Sequence, residues 1–292
     1  MVTGKVSIDG QVVDSGDACV SVFDRGFLYG DSVFEVFRTY GGVPFGQREH
    51  LERLQRSAER LMISMPVSLE TLWSEVEATL DAAGEGEWYV RVVITRGMGP
   101  LTYDPTTATQ SLRVIIAAPV TVPPAERYER GISVVTLHAS RPTDDERAAG
   151  AKASNYLANL LAVYEANQKG AQEALMLGRA GQILEGASSN IFIVKDGTLR
   201  TPEPQPGILI GITRATVLAA AAAEAMPIEE AEIRPEGLYG ADEAFLTSSI
   251  REVMPVVRAD GHTIGSGAPG SVTKRLHEAY LRVVAEATGA GV

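Results

Sequence analysis

The spacing of apolar residues predicts strands and helices in alternation over the first 118 residues of the chain. A two-residue turn at Asp9-Gly10 joins two short alternating runs, as expected for a β-hairpin. Beyond this hairpin, apolar residues recur at every second position in the predicted strands and at every third or fourth position in the predicted helices. In chain order the predicted elements are a hairpin at 5–13, a strand at 33–40, helices at 48–64 and 68–83, and strands at 88–95 and 112–118.

The same two periodicities organise the remainder of the chain after a proline-rich segment. Pro119, Pro123 and Pro124 are too closely spaced for the interior of a helix or strand, so residues 119–127 are predicted to be an interdomain linker. The elements predicted beyond it are a strand at 132–137, a polar stretch ending at Gly150, a helix from about 155 to Gly170, a hairpin at 173–184, a strand at 190–194 and a helix at 211–226. Helices and strands interleave on both sides of the linker, which predicts an α/β (α+β) fold with domains at 1–118 and 128–292.

Composition adds that the sequence is that of an ordinary globular protein. It has 292 residues, of which 45% are hydrophobic and 22% charged, and its formal net charge is −11, which disfavours binding to nucleic acid. Arg53, Arg56 and Arg60 alternate with glutamates on one predicted helix, and we interpret this run as a solvated face. The single cysteine, an N-terminus unlike a signal peptide and the lack of a long apolar run predict a cytoplasmic protein without membrane contact.

Several common enzyme motifs are missing from the sequence. The four histidines do not occur at metal-ligand spacings, so no metal site is predicted. Neither a P-loop nor the serine motif of α/β-hydrolases is present, and Gly97-Met98-Gly99 is interpreted as a turn rather than as part of a dinucleotide-binding loop. These exclusions leave a few isolated residues as candidates for chemistry.

Three short segments carry residues whose type and setting permit catalysis or cofactor binding. Lys152 lies between small residues, where partial desolvation favours a Schiff-base amine or a general base, although most lysines near helix starts are solvated. Glu185 precedes Gly186 and is either a solvent-exposed turn residue or a buried partner for a cationic nitrogen. The segment Gly211-Ile212-Thr213 begins a helix, where free N–H groups can bind phosphate and where Thr213 can equally be an ordinary N-cap.

These segments occur in an order that resembles one family over most of the chain. Six blocks are in register with the class IV (fold-type IV) pyridoxal-phosphate aminotransferases, and the most specific is Glu185–Phe192. The blocks are Phe23–Glu35, His50–Leu54, Lys152–Leu157, Glu185–Phe192, Gly211–Arg214 and Thr247–Ser249. The resemblance implies the two-domain fold of D-amino-acid aminotransferases, with an N-terminal α/β domain and a C-terminal α/β pseudobarrel, and it implies a homodimer.

The resemblance also implies that the cofactor is pyridoxal 5′-phosphate, bound to Lys152 as a Schiff base. Lys152 would then move the proton between the substrate α-carbon and the cofactor. Glu185 would keep the pyridine nitrogen protonated, Tyr156 would bond to the phenolic oxygen, and Ser188 would be a lesser contact. The residues implied to hold the phosphate are Arg53, Ile212, Thr213, Ser248 and Ser249.

The positions that set the substrate in this family favour branched-chain L-amino acids. Phe34, Tyr89 and Arg91 resemble the branched-chain enzymes, in which these residues help to bind the α-carboxylate. The carboxylate trap of the D-amino-acid enzymes is missing from residues 101–103. A D-amino-acid or (R)-amine transaminase is nevertheless the first alternative, because Val36 replaces a glycine expected in the branched-chain enzymes.

The second alternative is a lyase, and it rests on residues that begin at the end of the last matching block, Thr247–Ser249. Residues 249–255 are similar to the aminodeoxychorismate lyases, which use the same lysine for elimination. The compact segment Lys152–Asn155 and the run Ser188–Asn190 resemble the D-amino-acid enzymes instead. Arg251 is typical of neither aminotransferase group, and we interpret it as a surface charge or, alternatively, as a new partner for a carboxylate.

Overall fold

The computed structural model of the chain describes residues 3–108, 110–138, 148, 150–205 and 207–291, which divide into two units. Unit 1 contains the described residues up to Thr121 together with Ala151–Asn155 and Ala287–Gly291, and unit 2 contains the other described residues. Most of the predicted polar stretch before Gly150 lies outside the described residues.

Unit 1 is built on an antiparallel sheet. In its described part six strands follow the order β2-β1-β6-β5-β3-β4. The elements are β1 (Lys5–Ile8), β2 (Gln11–Asp14), α1 (Arg25–Tyr29), β3 (Ser32–Tyr40), β4 (Val43–Pro44), α2 (Gln47–Arg60), α3 (Leu69–Ala83), β5 (Trp88–Thr95) and β6 (Leu112–Pro119). Asp9 and Gly10 both have a positive φ in the turn from β1 to β2, which confirms the predicted hairpin.

The core of unit 1 lies where strand β3 meets helix α2. Val33 and Phe37 of β3 are buried in one apolar cluster with Leu54 of α2. Because side chains alternate along a strand, Glu35 shares this helix-covered face and Phe34 points to the opposite face. Strand β3 therefore presents the candidate Phe34 on one face and the buried Glu35 on the other.

Unit 2 is built on a larger mixed sheet. Among its described residues the strand order is β12-β11-β10-β13-β14-β7-β8-β9, with β15 added to β14, and β7 is parallel to both of its neighbours. The elements are α4 (Ala125–Arg130), β7 (Ile132–His138), α5 (Leu157–Gln168), β8 (Glu173–Leu177), β9 (Ile183–Gly186), β10 (Asn190–Lys195), β11 (Thr198–Thr201), α6 (Ile212–Ala223), β12 (Ile228–Glu230), α7 (Pro235–Tyr239), β13 (Glu243–Ser248), β14 (Glu252–Ala259), β15 (His262–Thr263) and α8 (Ser271–Thr288). The predicted mixture of helices and strands is confirmed.

The lysine segment lies in a different unit from the one its sequence position predicts. The sequence predicts Lys152 in the second domain, whereas the structure places Ala151–Asn155 in unit 1. Ala153 forms an isolated bridge with Val33, near the start of β3. Strand β4 pairs with the other end of the same strand. Such long-range pairing leaves no trace in the periodicity of either segment.

Two predicted boundaries shift in the structure. Helix α2 ends at Arg60 rather than at residue 64, because Met62 adopts a left-handed φ of 54° that an α-helix does not contain. Within the predicted linker at 119–127, strand β6 extends to Pro119 and helix α4 begins at Ala125, directly after a proline that is well suited to a helix start.

Helix α5 exposes the apolar face that its sequence spacing defines. Leu157, Leu160, Leu161 and Tyr164 are between 59% and 69% exposed. The buried residues of this helix are Asn159, Ala162 and Ala166. The apolar face is therefore available to another surface rather than to the core of unit 2. No described helix, α5 included, is long and apolar enough to cross a membrane.

Candidate active site

Lys152 is held at the start of β3 by hydrogen bonds of its own backbone. Its carbonyl oxygen accepts from the Phe34 N–H at 3.0 Å, and its N–H donates to Ser57 Oγ at 3.1 Å. The neighbours Ala151 and Ala153 are buried, and their small side chains allow the segment to lie close to the strand. Lys152 as a whole is only partly buried, and its backbone is held in a fixed position.

The three predicted substrate residues lie on one face of the sheet in unit 1. In the register of β3 with β5, Val36 is opposite Arg91, so Phe34 and Tyr89, each two residues away along its strand, project from the same face. The Arg91 guanidinium carbon lies 3.9 Å from the centroid of the Phe34 ring, and Lys152 Nζ lies 4.8 Å from it. The Arg91 guanidinium and the predicted catalytic amine of Lys152 thus both lie at cation–π distance from one aromatic ring.

Arg53 lies on the helix-covered side of β3, where it pairs with Glu35. Arg53 Nε and Nη2 donate to the two carboxylate oxygens of Glu35 at 2.6 and 2.7 Å, and His50 Nδ1 is 2.7 Å from Oε2. Burial by itself would raise the pKa of Glu35, but the Arg53 charge and the hydrogen bonds from Arg53 and His50 outweigh burial and lower the pKa to about 2. The interpretation of Arg53 as part of a solvated face is therefore wrong, because its partner lies on a strand rather than on its own helix.

In unit 2 the Glu185 carboxylate is buried at the end of β9. Its Oε2 accepts from the Leu209 N–H at 2.9 Å and from Asn190 Nδ2 at 3.4 Å. Asn190 Nδ2 also donates to the Leu209 carbonyl at 2.9 Å, which fixes both partners. The interpretation of Glu185 as a solvent-exposed turn acid is wrong, since its side chain is directed into unit 2.

The N-terminus of helix α6 lacks a side-chain cap. Gly211 is its N-cap residue and provides no side-chain cap hydrogen bond. Thr213 is the second helical residue and is buried, so its interpretation as an ordinary N-cap is wrong. A Cβ atom on Gly211 would clash with Asn190 Oδ1, which explains why glycine occupies this position. The first N–H groups of the helix remain as donors for an anion.

A buried hydroxyl group lies near the end of β13. Thr247 pairs with Asn190 in the register of β13 with β10, and its Oγ1 has no hydrogen-bond partner among the described residues. A buried polar atom without a partner costs about 1–3 kcal/mol, which favours a ligand that supplies one. Asn190 therefore connects the acceptor Glu185, the uncapped helix and this hydroxyl within unit 2.

Arg251 and Glu173 form an ion pair, and sequence reasoning did not identify Glu173 as the partner. Glu173 is fully buried, and Arg251 Nη1 donates a hydrogen bond to its Oε2. The interpretation of Arg251 as a surface charge is wrong, and its carboxylate partner belongs to the protein. Glu173 begins a predicted strand, a position at which a glutamate looks like an exposed edge residue. The atypical Arg251 was the one available signal of a buried acid.

The predicted cofactor residues are divided between the two units. Lys152 and Arg53 belong to unit 1. Those in unit 2 are Tyr156, Glu185, Ser188, Ile212, Thr213, Ser248 and Ser249. Tyr156 is the N-cap residue of α5, and Ser248 Oγ accepts from the Arg251 N–H at 3.3 Å. Within the described parts of the chain, no group of three or more His, Cys, Asp or Glu is arranged to hold a metal ion.

Comparison with known sequences finds one family and its members. The sequence profile of the family described as amino-transferase class IV matches residues 32–259. A protein of Methanocaldococcus jannaschii provisionally named branched-chain-amino-acid aminotransferase is 40% identical over 94% of this chain and 95% of its own. The D-alanine aminotransferase of Bacillus licheniformis is 32% identical over 97% of this chain and 98% of its own.

Solved structures with the same fold carry related names. The T.th. branched-chain amino acid aminotransferase with pyridoxamine 5′-phosphate has a TM-score of 0.92 and 31% identity, over 99% of this chain and 95% of its own. The 4-amino-4-deoxychorismate lyase of Pseudomonas aeruginosa has a TM-score of 0.81 and 30% identity, over 94% of this chain and 97% of its own. The predicted two-domain fold is thereby confirmed.

Proposed function

The chain belongs to the class IV aminotransferases, and from this premise we propose that it transfers the amino group of branched-chain L-amino acids to a 2-oxo acid. One observation carries the substrate class: Arg91 lies over Phe34 on the sheet face that also carries Tyr89, and Lys152 Nζ contacts the same ring. A guanidinium suits a carboxylate geometrically, and here it lies beside the amine that would act at the α-carbon. Similarity to branched-chain enzymes supports the same assignment.

Pyridoxal 5′-phosphate is the cofactor of this family, and the residues present fit it. The unpartnered Thr247 hydroxyl and the uncapped N-terminus of α6 are donors that a phosphate group satisfies. Glu185 is a buried carboxylate suited to a protonated ring nitrogen. The residues that would hold the cofactor are Arg53, Lys152, Tyr156, Glu185, Ser188, Ile212, Thr213, Ser248 and Ser249.

The cofactor, when bound, supplies an electron sink for the bond broken at the α-carbon. Lys152 Nζ takes and returns the proton at that carbon, and the backbone bonds of Lys152 to Phe34 and Ser57 fix the point from which this side chain extends. Arg91 and Tyr89 orient the substrate carboxylate. Glu185 is buried and would keep the ring nitrogen of the bound cofactor protonated, out of competition with water.

Two alternative functions have specific support. A D-amino-acid or (R)-amine transaminase is supported by the similarity to the D-alanine aminotransferase and by the serine pair at Ser188-Ser189. An aminodeoxychorismate lyase is supported by the similarity of fold to that enzyme. The pairing of Arg251 with Glu173 weakens the first alternative, because Arg251 is already engaged by a carboxylate of the protein.

We further propose that the protein is a cytoplasmic homodimer. The exposed apolar residues of α5 are four neighbours on one helical face, which is unusual for a surface that remains in water. A second copy of the chain is the partner that the family resemblance implies. The single cysteine, which is exposed and free, is consistent with a reducing compartment.

A half-reaction assay tests the proposal. L-leucine, D-alanine, (R)-1-phenylethylamine and aminodeoxychorismate are added separately to the holoenzyme, and the visible absorption band of the bound cofactor is followed. Loss of the band with L-leucine alone is the expected result. Loss of the band with D-alanine or with (R)-1-phenylethylamine would support the first alternative in place of the branched-chain assignment. Pyruvate release from aminodeoxychorismate without loss of the band would indicate the lyase. A chain that binds no pyridoxal phosphate would overturn the whole proposal.

A further inference from the structure

Glu173 is a fully buried carboxylate to which the proposed reaction assigns no role. Its Oε1 accepts from the Ala174 N–H at 3.1 Å. Its Oε2 accepts from Ser188 Oγ at 3.1 Å and from Ser189 Oγ at 3.5 Å, in addition to the bond from Arg251 Nη1. One carboxylate oxygen therefore connects the loop between β9 and β10 with the turn between β13 and β14.

Both of these segments carry residues assigned to the cofactor. Ser188 lies three residues after Glu185, in the loop that leaves β9. Arg251 lies three residues after Ser248, and its N–H donates to Ser248 Oγ at 3.3 Å. The pair of Glu173 with Arg251 therefore determines the position of the Thr247–Ser249 segment relative to the Glu185 loop.

The turn that carries Arg251 is also anchored from a second side. The Tyr128 hydroxyl donates to the Arg251 carbonyl at 3.1 Å, and the Tyr128 ring stacks on His277 at 5.2 Å between centroids. His277 Nε2 lies 2.7 Å from Glu252 Oε2. Glu252 has a left-handed φ of 55°, an unfavourable conformation for a residue with a side chain, which persists only where the surroundings fix it. The turn is thus held in one conformation from two directions.

We propose that Glu173 and Arg251 are positioning residues that set the affinity of the chain for the phosphate group of its cofactor. This inference rests on the proposed function. A segment held in place before binding presents the hydroxyl groups of Thr247 and Ser249 without a loss of conformational entropy at the moment of binding. Releasing it therefore weakens binding of the phosphate and leaves the chemistry at the α-carbon largely unchanged.

The test compares binding of pyridoxal 5′-phosphate with binding of pyridoxal, which lacks the phosphate group. Arg251→Met is expected to weaken binding of the phosphorylated compound by about 10- to 100-fold, the loss typical of a hydrogen bond to a charged group. Its affinity for pyridoxal and its kcat at saturating cofactor should change much less. Arg251→Lys should lie between Arg251→Met and the wild type, because lysine keeps the charge without the planar fork. Arg258→Met, at an exposed position of β14, is the matched control.

A second variant keeps the inference testable if Arg251→Met does not fold, since that change leaves a buried carboxylate unpaired. Glu173→Gln combined with Arg251→Met removes both charges, so the double variant should melt near the wild-type Tm and still bind pyridoxal phosphate weakly. Wild-type affinity in the double variant, or equal weakening of pyridoxal and pyridoxal phosphate binding, would overturn the inference and leave the proposed function intact. A wild-type chain that binds neither compound would overturn both.

Discussion

Glu35 accepts a hydrogen bond from Arg53 on each of its carboxylate oxygens, at 2.6 and 2.7 Å, in a position with no solvent exposure. Two parallel bonds of this kind fix the plane of the guanidinium as well as its distance. The arginine assigned to the cofactor phosphate is therefore itself oriented by a strand residue that never needs to touch the cofactor. His50 contacts the same carboxylate and completes a buried group of three charged or polar side chains.

The stability of the chain is expected to fall in acid because of this ion pair. The pKa of Glu35 is about 2 in the folded chain against an ordinary 4.5. The ionised carboxylate therefore adds its full contribution to the free energy of unfolding above pH 4.5, and this contribution is lost as the pH falls towards 2. The full contribution is ~3 kcal/mol at 1.36 kcal/mol per pH unit. Urea unfolding at neutral pH and at about pH 3.5 measures the first part of this loss, roughly 1.4 kcal/mol, because most of the remainder disappears only nearer pH 2. Glu35→Gln should reduce the acid-dependent loss, whereas Glu49→Gln, at an exposed position of helix α2, should leave it unchanged.

Replacement of Lys152 by alanine should abolish both turnover and the visible absorption band of the bound cofactor. The reason is that Lys152 provides the amine that acts at the α-carbon and attaches the cofactor. Spectra and initial rates of the purified variant provide the measurement. Lys169→Ala is a suitable control, because Lys169 is exposed and pairs only locally with Glu165. Full activity in the Lys152 variant would remove the basis of the assignment.

Replacement of Arg91 by methionine should affect substrates according to whether they carry a carboxylate. Loss of a charged hydrogen-bond donor costs ~1.5–3 kcal/mol, so KM for L-leucine should rise by about 10- to 100-fold. The effect on any residual reaction with (R)-1-phenylethylamine, which has no carboxylate, should be small. Arg48→Met is the matched control on the exposed side of α2. An equal effect on both amines would mean that Arg91 serves the stability of the sheet instead.

Replacement of Gly211 by alanine should displace Asn190. The new Cβ would clash with Asn190 Oδ1, and Asn190 also bonds to Glu185, so the change should cost ~1–3 kcal/mol of stability and weaken cofactor binding. Thermal melting with and without pyridoxal phosphate measures both effects. At Gly237 no described atom lies within 4 Å of an added Cβ, so Gly237→Ala should be tolerated. Normal cofactor affinity in Gly211→Ala would show that Asn190 can move without consequence.

A charge on the apolar face of α5 should change the oligomeric state. Leu160→Asp or Leu161→Asp would place a carboxylate in a surface that a second copy covers in the proposed dimer, where an unpaired charge is costly. Sedimentation velocity should then show a monomer with an unchanged helical content. Glu165→Gln, at an exposed position of the same helix, is the control. A wild-type chain that sediments as a monomer would refute the proposed dimer.

Local patterns predicted the elements of the fold well because each depends on neighbouring residues alone. The Asp9-Gly10 turn and the strand at 33–40 are set by backbone preference and alternation. The end of α2 was missed, since the left-handed Met62 has no signal in its side-chain type. The location of Lys152 was missed for a different reason, namely that its segment pairs with a strand more than a hundred residues earlier in the chain.

The candidate site shows the same division between local and distant causes. Resemblance indicated Lys152, Glu185 and Arg53, but composition and spacing alone predicted a solvated Arg53 and left the burial of Lys152 and Glu185 open. A charged side chain is buried only where a partner meets it, and the partners of Arg53 and Arg251 lie on other elements, on β3 and β8. Such partners are set by the sheet registers, which a single sequence does not specify.

The attachment of residues 151–155 to β3 has a consequence for biosynthesis. A ribosome that has released only the first 121 residues has not yet supplied the segment that bonds to Phe34 and bridges to Val33. Strand β3 therefore cannot complete its native bonding until synthesis has passed residue 153, well into the part of the chain that forms unit 2. The segment that carries the reactive amine is therefore the last partner of β3 to be translated, after β4 and β5.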